Sequence, residues 1–393
     1  MPVKFQRFEK NQGLIYSRRY GCLQATGDTI LILDSHVEVK PGFLEPLLQV
    51  VDANYKAVAA PIFDFWDTFK NNYWSFDQAL GFDRYMNWIY VYEESPKNGR
   101  NFRSPAIMGG AFVVKKKFLK EIDYFGMCME GWGQENIELS LKTWFCDGEV
   151  LFVACSRVLH FAARRTPSRH GDRIKPAEFW HNQGVIVKSY FPSDIYEEFD
   201  RVHNIDKDLE RCAETIEANR KLLRKNKCTR NFTWLRRNLM PRIESYDSET
   251  TVAHTLTDRK KCVSIEKWSV NQGHKVYLVY CDTQKSVYER VRLTKWRDLR
   301  IFDRLCLDWG YDPVKFSACH NSGGNQIVRY NAENGAISNE GNDVCLGQYK
   351  NSKIYLDKGP CNKGEAENES TDFVVLNFRF LTIFNQSLLL DNT

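Results

Sequence analysis

The sequence lacks a long apolar run, a close cysteine pair and a dominant charge, and each absence removes a class of protein. No stretch of about 18 or more apolar residues occurs, so the chain contains no membrane span. Lys and Arg number 55 against 50 Asp and Glu, interspersed along the chain. The net charge of +5 offers no concentrated basic face and gives no reason to expect nucleic acid as a partner. None of the 12 cysteines forms a C-x-x-C pair, which argues against a zinc site. No apolar segment follows Met1-Pro2-Val3-Lys4, so the opening residues do not read as a secretory signal. What is present is a 393-residue chain, 43% hydrophobic and 13% aromatic, enough for two or three domains with sizeable cores.

The most informative segment is Asp34-Ser35-His36, which closes the apolar run Ile30-Leu31-Ile32-Leu33. The run, bounded by Thr26-Gly27-Asp28, reads as a buried strand. A carboxylate and an imidazole two residues apart at its carboxyl end would point the same way. They offer oxygen and nitrogen ligands of the kind Mn²⁺ accepts, where α/β sheets bind ligands. Taken alone, the three residues fit a strand end capped by two polar groups at least as well.

Residues 1–195 read as α/β. Strands are expected near 30–33, 58–62, 111–114 and 150–153, and helical patterns near 41–54 and 135–144. Residues 194–227 suggest one charged helix, with Ile205, Leu209, Cys212, Ile216, Asn219 and Leu223 three or four apart, so 196–245 is expected to be a helical connector. From 246 to 393 short β-type segments replace helical periodicity. Cys262, Cys306 and Cys345 recur at steps of 44 and 39 residues, each followed by an apolar residue. A period near 40 indicates a repeat, and three units suggest a threefold all-β barrel, the alternative being a disulfide-rich β domain without symmetry. Six cysteines in this region and sequons at Asn231, Asn368 and Asn385 favour an oxidising secretory lumen.

A series of motifs in order carries a resemblance. Gly13-Leu14-Ile15 and Gly21 precede Leu33-Asp34-Ser35-His36-Val37-Glu38 and Gly42-Phe43-Leu44-Glu45-Pro46. Ser104-Pro105, Gly109-Gly110-Ala111-Phe112, Gly131-Trp132-Gly133-Gln134-Glu135-Asn136 and Cys155-Ser156-Arg157-Val158-Leu159-His160 follow. The chain resembles the polypeptide N-acetylgalactosaminyltransferases, Golgi enzymes that begin mucin-type O-glycosylation. The last third resembles their ricin-type β-trefoil lectin domain.

The resemblance implies a glycosyltransferase A (Rossmann-like) α/β domain followed by the trefoil. It also implies transfer of GalNAc from UDP-GalNAc to Ser or Thr of a polypeptide, with retention and with Mn²⁺. Asp34, His36 and His160 would be the metal ligands. Trp132, Glu135 and Asn136 would stand at the sugar site, with Glu135 bonding a sugar or acceptor hydroxyl, and Gly109 and Gly110 would let the backbone approach the sugar. Cys146 would pair with Cys228, Cys262 with Cys281, Cys306 with Cys319 and Cys345 with Cys361. Only the middle repeat keeps a full galactose-type set, Asp308, His320 and Asn325, so one GalNAc or GalNAc-glycopeptide site is expected. The implied location is the Golgi lumen, with a type II membrane anchor if a longer form supplies one.

Departures from the family pattern are equally specific. The resemblance implies that the first strands of the catalytic domain, which hold uridine, are not among these residues, and Cys155 has its family partner in that stretch. Tyr16 and Tyr20 stand where the family has arginines, Ala163 replaces another, and Thr166-Pro167-Ser168 replaces a tyrosine-containing loop. Tyrosine lacks the forked charge of a guanidinium. Two functions are therefore expected to compete: a transferase, and a catalytically inactive relative that binds GalNAc-bearing glycopeptides.

Overall fold

The computed structural model describes residues 3–67, 72–76, 78–82, 86, 88–91, 100–161, 176–203, 205, 209–226, 228–241, 251–255, 261–265, 274–280, 291–293, 297–301, 305–320, 323–340, 344–349, 356–361, 373–376 and 378–382. The chain divides into two compact units, 1–82 with 88–242, and 83–87 with 243–393.

The first unit is built from α1 (Gly13–Gln24), β1 (Thr29–Leu33), β2 (Val37–Val39), α2 (Glu45–Ala53), β3 (Ala57–Asp67), β4 (Asn72–Phe76) and a hairpin of β5 (Ala79–Phe82) with β6 (Trp88–Val91). There follow β7 (Phe102–Arg103), β8 (Ala111–Lys115), α3 (Lys116–Glu121), α4 (Glu135–Phe145) and β9 (Glu149–Phe161). Helices α5 (Pro176–Tyr190), α6 (Ser193–His203), α7 (Ala213–Lys225) and α8 (Phe232–Leu239) complete it. The sheet runs β1-β8-β3-β9-β2, with β4 added to β3 and β7 to β9. Strand β3 is buried from Ala57 to Ala60, as a near-continuous apolar central strand must be. Leu47 and Val51 of α2 pack with Ala57, Ala59, Val113 and Val153 to form a core.

The β3–β9 pair is parallel and carries an irregularity that matters for the site. Pro61 faces Val153 but Ile62 faces Arg157, so residues 154–156 bulge out of the pairing. The buried Ser156 hydroxyl ties this bulge to the Phe43 carbonyl at 2.6 Å. Beyond it β9 resumes and delivers His160 opposite Val37 of β2.

Two helices differ from the sequence pattern. The pattern predicts a helix over 41–54, but α2 begins at Glu45, because Gly42 turns the chain at φ 85° and Pro46 suits only the first turn. Among the described residues the single helix expected over 194–227 is interrupted: α6 ends at His203, and a 3-10 turn over Glu210–Cys212 leads into α7. The Asp200 carboxylate accepts the Ile205 N–H at 2.9 Å, and a side chain that takes a backbone donor ends the helical ladder. The cysteines expected to pair across the unit, Cys146 and Cys228, are bonded. So are Cys128 and Cys212, for which the sequence offered no partner.

In the second unit the strand after each repeat's start, Lys261–Ile265, Leu305–Asp308 and Val344–Tyr349, pairs antiparallel with His274–Tyr280, Lys315–Ala318 and Asp357–Pro360. The residues following the three cysteines, Val263, Leu307 and Leu346, are all fully buried in one core. Thr251–Thr255 pairs with Phe378–Thr382, joining the first and last strands among the described residues of this unit. Cys306–Cys319 and Cys345–Cys361 are bonded, each closing a short loop. Cys262 is disulfide-bonded as well, while Cys281 lies outside the described residues.

Candidate functional site

Three elements bring Asp34, His36 and His160 together. Asp34 leaves β1 with its N–H bonded to the Gly110 carbonyl at 2.8 Å, and the His36 carbonyl accepts the Phe161 N–H at 3.1 Å. The β2–β9 register then sets His36 beside His160, their rings 4.4 Å apart and edge to face. Asp34 Oδ2 is 3.7 Å from His160 Nε2. The ligating atoms of all three lie within 4.8 Å of one another. Gly110 keeps this cluster close to the backbone: a Cβ would stand 3.3 Å from Asp34 Oδ2, 3.2 Å from His160 Cδ2 and 3.0 Å from the Phe63 ring, tight contacts that would press the ligand side chains apart. Gly109 has φ 86°, and a Cβ would meet Asn136 at 3.1 Å.

Arg18, buried on α1, links this cluster to the start of α4. One guanidinium nitrogen donates to Asp34 Oδ1 at 2.6 Å and the other to Glu135 Oε1 at 2.8 Å. The arginine is fixed because α1 begins against the loop before α4, with the Leu14 N–H bonded to the Gly131 carbonyl at 2.7 Å. Glu135 Oε2 accepts the Gly133 N–H at 3.1 Å. Burial raises the Asp34 carboxyl, but the His160 contact and the Arg18 charge outweigh it, and the group sits below the ordinary carboxyl range. Glu135 is buried more deeply. There burial wins over Arg18, and its carboxyl is pushed up.

These groups border a pocket of about 550 Å³ lined by Asp34, His36, His160, Gly109, Gly110, Trp132, Gln134, Glu135 and Asn136, with aromatic walls from Phe63, Phe65, Phe76 and Phe179. Trp132 is half-exposed at its rim. Asn136 gives one amide N–H to the Ile107 carbonyl at 2.6 Å, which fixes its side chain at the pocket wall. Tyr16 and Tyr20 pack edge-on against Phe8, at 5.6 and 5.2 Å.

In the second unit Asp308, His320 and Asn325 also meet. Asp308 Oδ1 accepts the Gly310 N–H at 2.9 Å and the Asn325 amide, and Oδ2 accepts the Ser317 hydroxyl at 2.6 Å and the Gln326 amide at 3.2 Å. His320 Nε2 lies 3.1 Å from Asn325 Oδ1. Four donors outweigh burial and hold the Asp308 carboxyl below its ordinary value. Asn231 caps α8, its side-chain oxygen accepting the Trp234 N–H at 2.9 Å. Asn368, Asn385, Ala163 and Ser168 lie outside the described residues.

The spacing-based reading did not single out Arg18, Gln134, Ser317 or Gln326. For Gln326 a signal existed, the Gln-Ile-Val that stands where trefoils of this kind carry Gln-x-Trp. Arg18 gives none, because only the fold shows that it reaches two acids 16 and 117 residues away.

Comparison with known proteins bears on both units. Residues 1–123 match the glycosyl transferase family 2 model and residues 250–368 match the ricin-type beta-trefoil lectin domain. Polypeptide N-acetylgalactosaminyltransferase 5 of Caenorhabditis elegans is 29% identical over 370 residues, 88% of this chain and 56% of the relative. The Mus musculus protein of the same name is 33% identical over 309 residues, 75% of this chain and 32% of the relative. An inactive polypeptide N-acetylgalactosaminyltransferase-like protein 5 of Macaca fascicularis is 37% identical over 173 residues, 42% of this chain and 39% of the relative. The chain thus spans about half the length, or less, of these curated relatives. A crystal structure of GalNAc-T7 with UDP, GalNAc and Mn²⁺ superimposes with a TM-score of 0.54 at 22% identity, covering 97% of this chain and 71% of that one. The shared architecture is a glycosyltransferase A fold followed by a β-trefoil.

Proposed function

We propose, starting from a chain that resembles the polypeptide N-acetylgalactosaminyltransferases in its catalytic and its lectin segments alike, that it transfers GalNAc from UDP-GalNAc to Ser or Thr of polypeptides with retention. The observation that carries this reading is the Asp34, His36 and His160 cluster, brought together from the turn between β1 and β2 and from β9 beside a pocket of about 550 Å³. One carboxylate oxygen and two imidazole nitrogens are a donor set that suits Mn²⁺. A cation held there supplies Lewis-acid neutralisation of a departing diphosphate.

The chain's own residues then have distinct tasks. Asp34 keeps Oδ2 for the metal because Arg18 occupies Oδ1. Gly109 and Gly110 let the sugar approach the backbone. Glu135, pinned by Arg18 and the Gly133 N–H, bonds a sugar or acceptor hydroxyl. Trp132 covers the rim. The acceptor hydroxyl attacks on the face that the diphosphate leaves. In the second unit, Asp308, His320 and Asn325 hold a GalNAc of an already glycosylated acceptor. The disulfides and the Asn231 sequon support residence in the Golgi lumen. No helix among the described residues is long and apolar enough to cross a membrane.

A second reading, an inactive relative that acts as a lectin, draws on Tyr16 and Tyr20, which are committed to an aromatic cluster with Phe8. One experiment separates the two. The full chain is given UDP-GalNAc, Mn²⁺ and a Thr-rich peptide, and UDP binding is titrated with and without Mn²⁺. The transferase reading expects GalNAc-peptide and Mn²⁺-dependent UDP binding, both lost in Asp34→Asn. Absence of both with GalNAc binding intact supports the lectin.

A further inference from the structure

We propose that Gln134 reads the acetamido group of the donor sugar, an inference that rests on the nucleotide-sugar reading above. The residue is anomalous in three independent ways. It is the N-cap of α4 and holds φ 75°, ψ −9°, in the left-handed region that a residue with a Cβ avoids. Its neighbours with positive φ in this loop, at 57° and 102°, are Gly131 and Gly133, so glutamine stands where the local backbone favours glycine. Its side chain is buried, the residue being only 2% exposed. Neither its Oε1 nor its Nε2 has a hydrogen-bond partner among the described residues. A buried amide left unpaired on both ends is a standing cost, and in native proteins such a group calls for an explanation such as a missing ligand. Strain at the same residue points the same way.

Position supplies the ligand. Gln134 borders the 550 Å³ pocket beside Glu135, Asn136 and Gly109. The next two polar side chains are already committed: Glu135 to Arg18 and the Gly133 N–H, Asn136 to the Ile107 carbonyl. Of these three, Gln134 alone has neither its donor nor its acceptor already bonded. An acetamido substituent is its complement in reach: as a trans amide it presents its N–H and carbonyl on opposite sides, and the carbonyl, projecting past the substituent nitrogen, accepts from Nε2. A hydroxyl at the same carbon ends short of that carbonyl and leaves the buried amide unpaired. A site built on such a pair discriminates against the analogue that lacks it.

The test measures binding of UDP-GalNAc, UDP-Gal and UDP to the full chain with Mn²⁺ by calorimetry. The native protein is expected to bind UDP-GalNAc at least tenfold more tightly than UDP-Gal. Gln134→Gly relieves the left-handed strain and is expected to keep or raise the melting temperature and keep UDP affinity, while the preference falls to within about threefold, a change read directly as a ratio. Gln134→Leu, which keeps bulk and removes the amide, should lose the preference likewise, and if it does not fold the glycine variant carries the test alone. Retention of the native preference in Gln134→Gly overturns the proposal. So does a native protein that binds UDP without distinguishing the two sugars, or a variant that loses all three ligands together with its melting temperature, which marks a structural role. A native protein that binds no UDP overturns the nucleotide-sugar reading and this inference with it.

Discussion

Arg18 and Arg19 are adjacent on one helix and have opposite fates. Arg19 reaches Asp123 and the Phe125 carbonyl near the surface, while Arg18 is buried and divides its two nitrogens between Asp34 and Glu135. Nothing in Ser17-Arg18-Arg19-Tyr20 distinguishes them, which is why the sequence yields the three candidate ligands but not the arginine that bonds one of them. The ligand positions are legible because a strand end fixes where Asp34 and His36 point, and a motif locates His160. Arg18 depends on a contact across the fold. If it orients Asp34, Arg18→Met lowers Mn²⁺ affinity by roughly 10–100-fold, the usual effect of losing a group that orients a ligand. Arg18→Lys restores little of it, because one ammonium cannot fork to two acids. Electron paramagnetic resonance titration of Mn²⁺ in the presence of UDP reads both. Equal affinity in all three proteins would mean that Asp34 is held by the backbone alone.

Helix α4 shows how an element can be legible in outline while its interior is not. Its span is close to the expected 135–144, yet every residue from Glu135 to Phe145 is buried, including Glu138 and Lys142. These two pair at 3.0 Å one turn apart with almost no exposure. Glu138 also accepts the Tyr190 hydroxyl at 3.0 Å and the Gly126 N–H at 2.7 Å, so the helix clamps α5 and the start of the loop that carries Trp132. A Glu–Lys spacing of four usually marks a solvated face, and the reversal here follows from both faces being covered. Breaking this pair should be costly. Lys142→Met leaves a buried carboxylate without its cation and is expected to lower stability by about 3–5 kcal/mol, whereas Glu138→Leu with Lys142→Leu costs less because no charge is stranded. Chemical denaturation measures both, and a single variant as stable as the native chain would show that the pair contributes nothing. Helices α6 and α7 failed as one predicted element for a related reason. Apolar spacing continued through 205–223, but Asp200 took the Ile205 N–H, and no periodicity reports a side chain that competes for the backbone.

At the scale of the molecule, the two units use unrelated chemistry, and conditions that silence one should spare the other. On the proposed function the first would rely on a cation held by Asp34, His36 and His160, and the second on a carboxylate satisfied by protein donors, with no metal ligand set among its described residues. Chelation with EDTA is therefore expected to abolish UDP binding and leave retention on GalNAc-agarose unchanged, while Asp308→Ala does the reverse. Acid discriminates further. Asp308 has a folded pKa below its ordinary 3.8, since its hydrogen bonds favour the charged form. A depressed carboxyl contributes stability that is complete above the unfolded value and is lost as pH falls through the folded one. Retention on GalNAc-agarose should consequently persist from neutral pH down to about the ordinary carboxyl value and fail only below it. A column that releases the protein in a titration well above that value would mean that another group, and not Asp308, governs the trefoil site, and the assignment of its sugar contact would have to move.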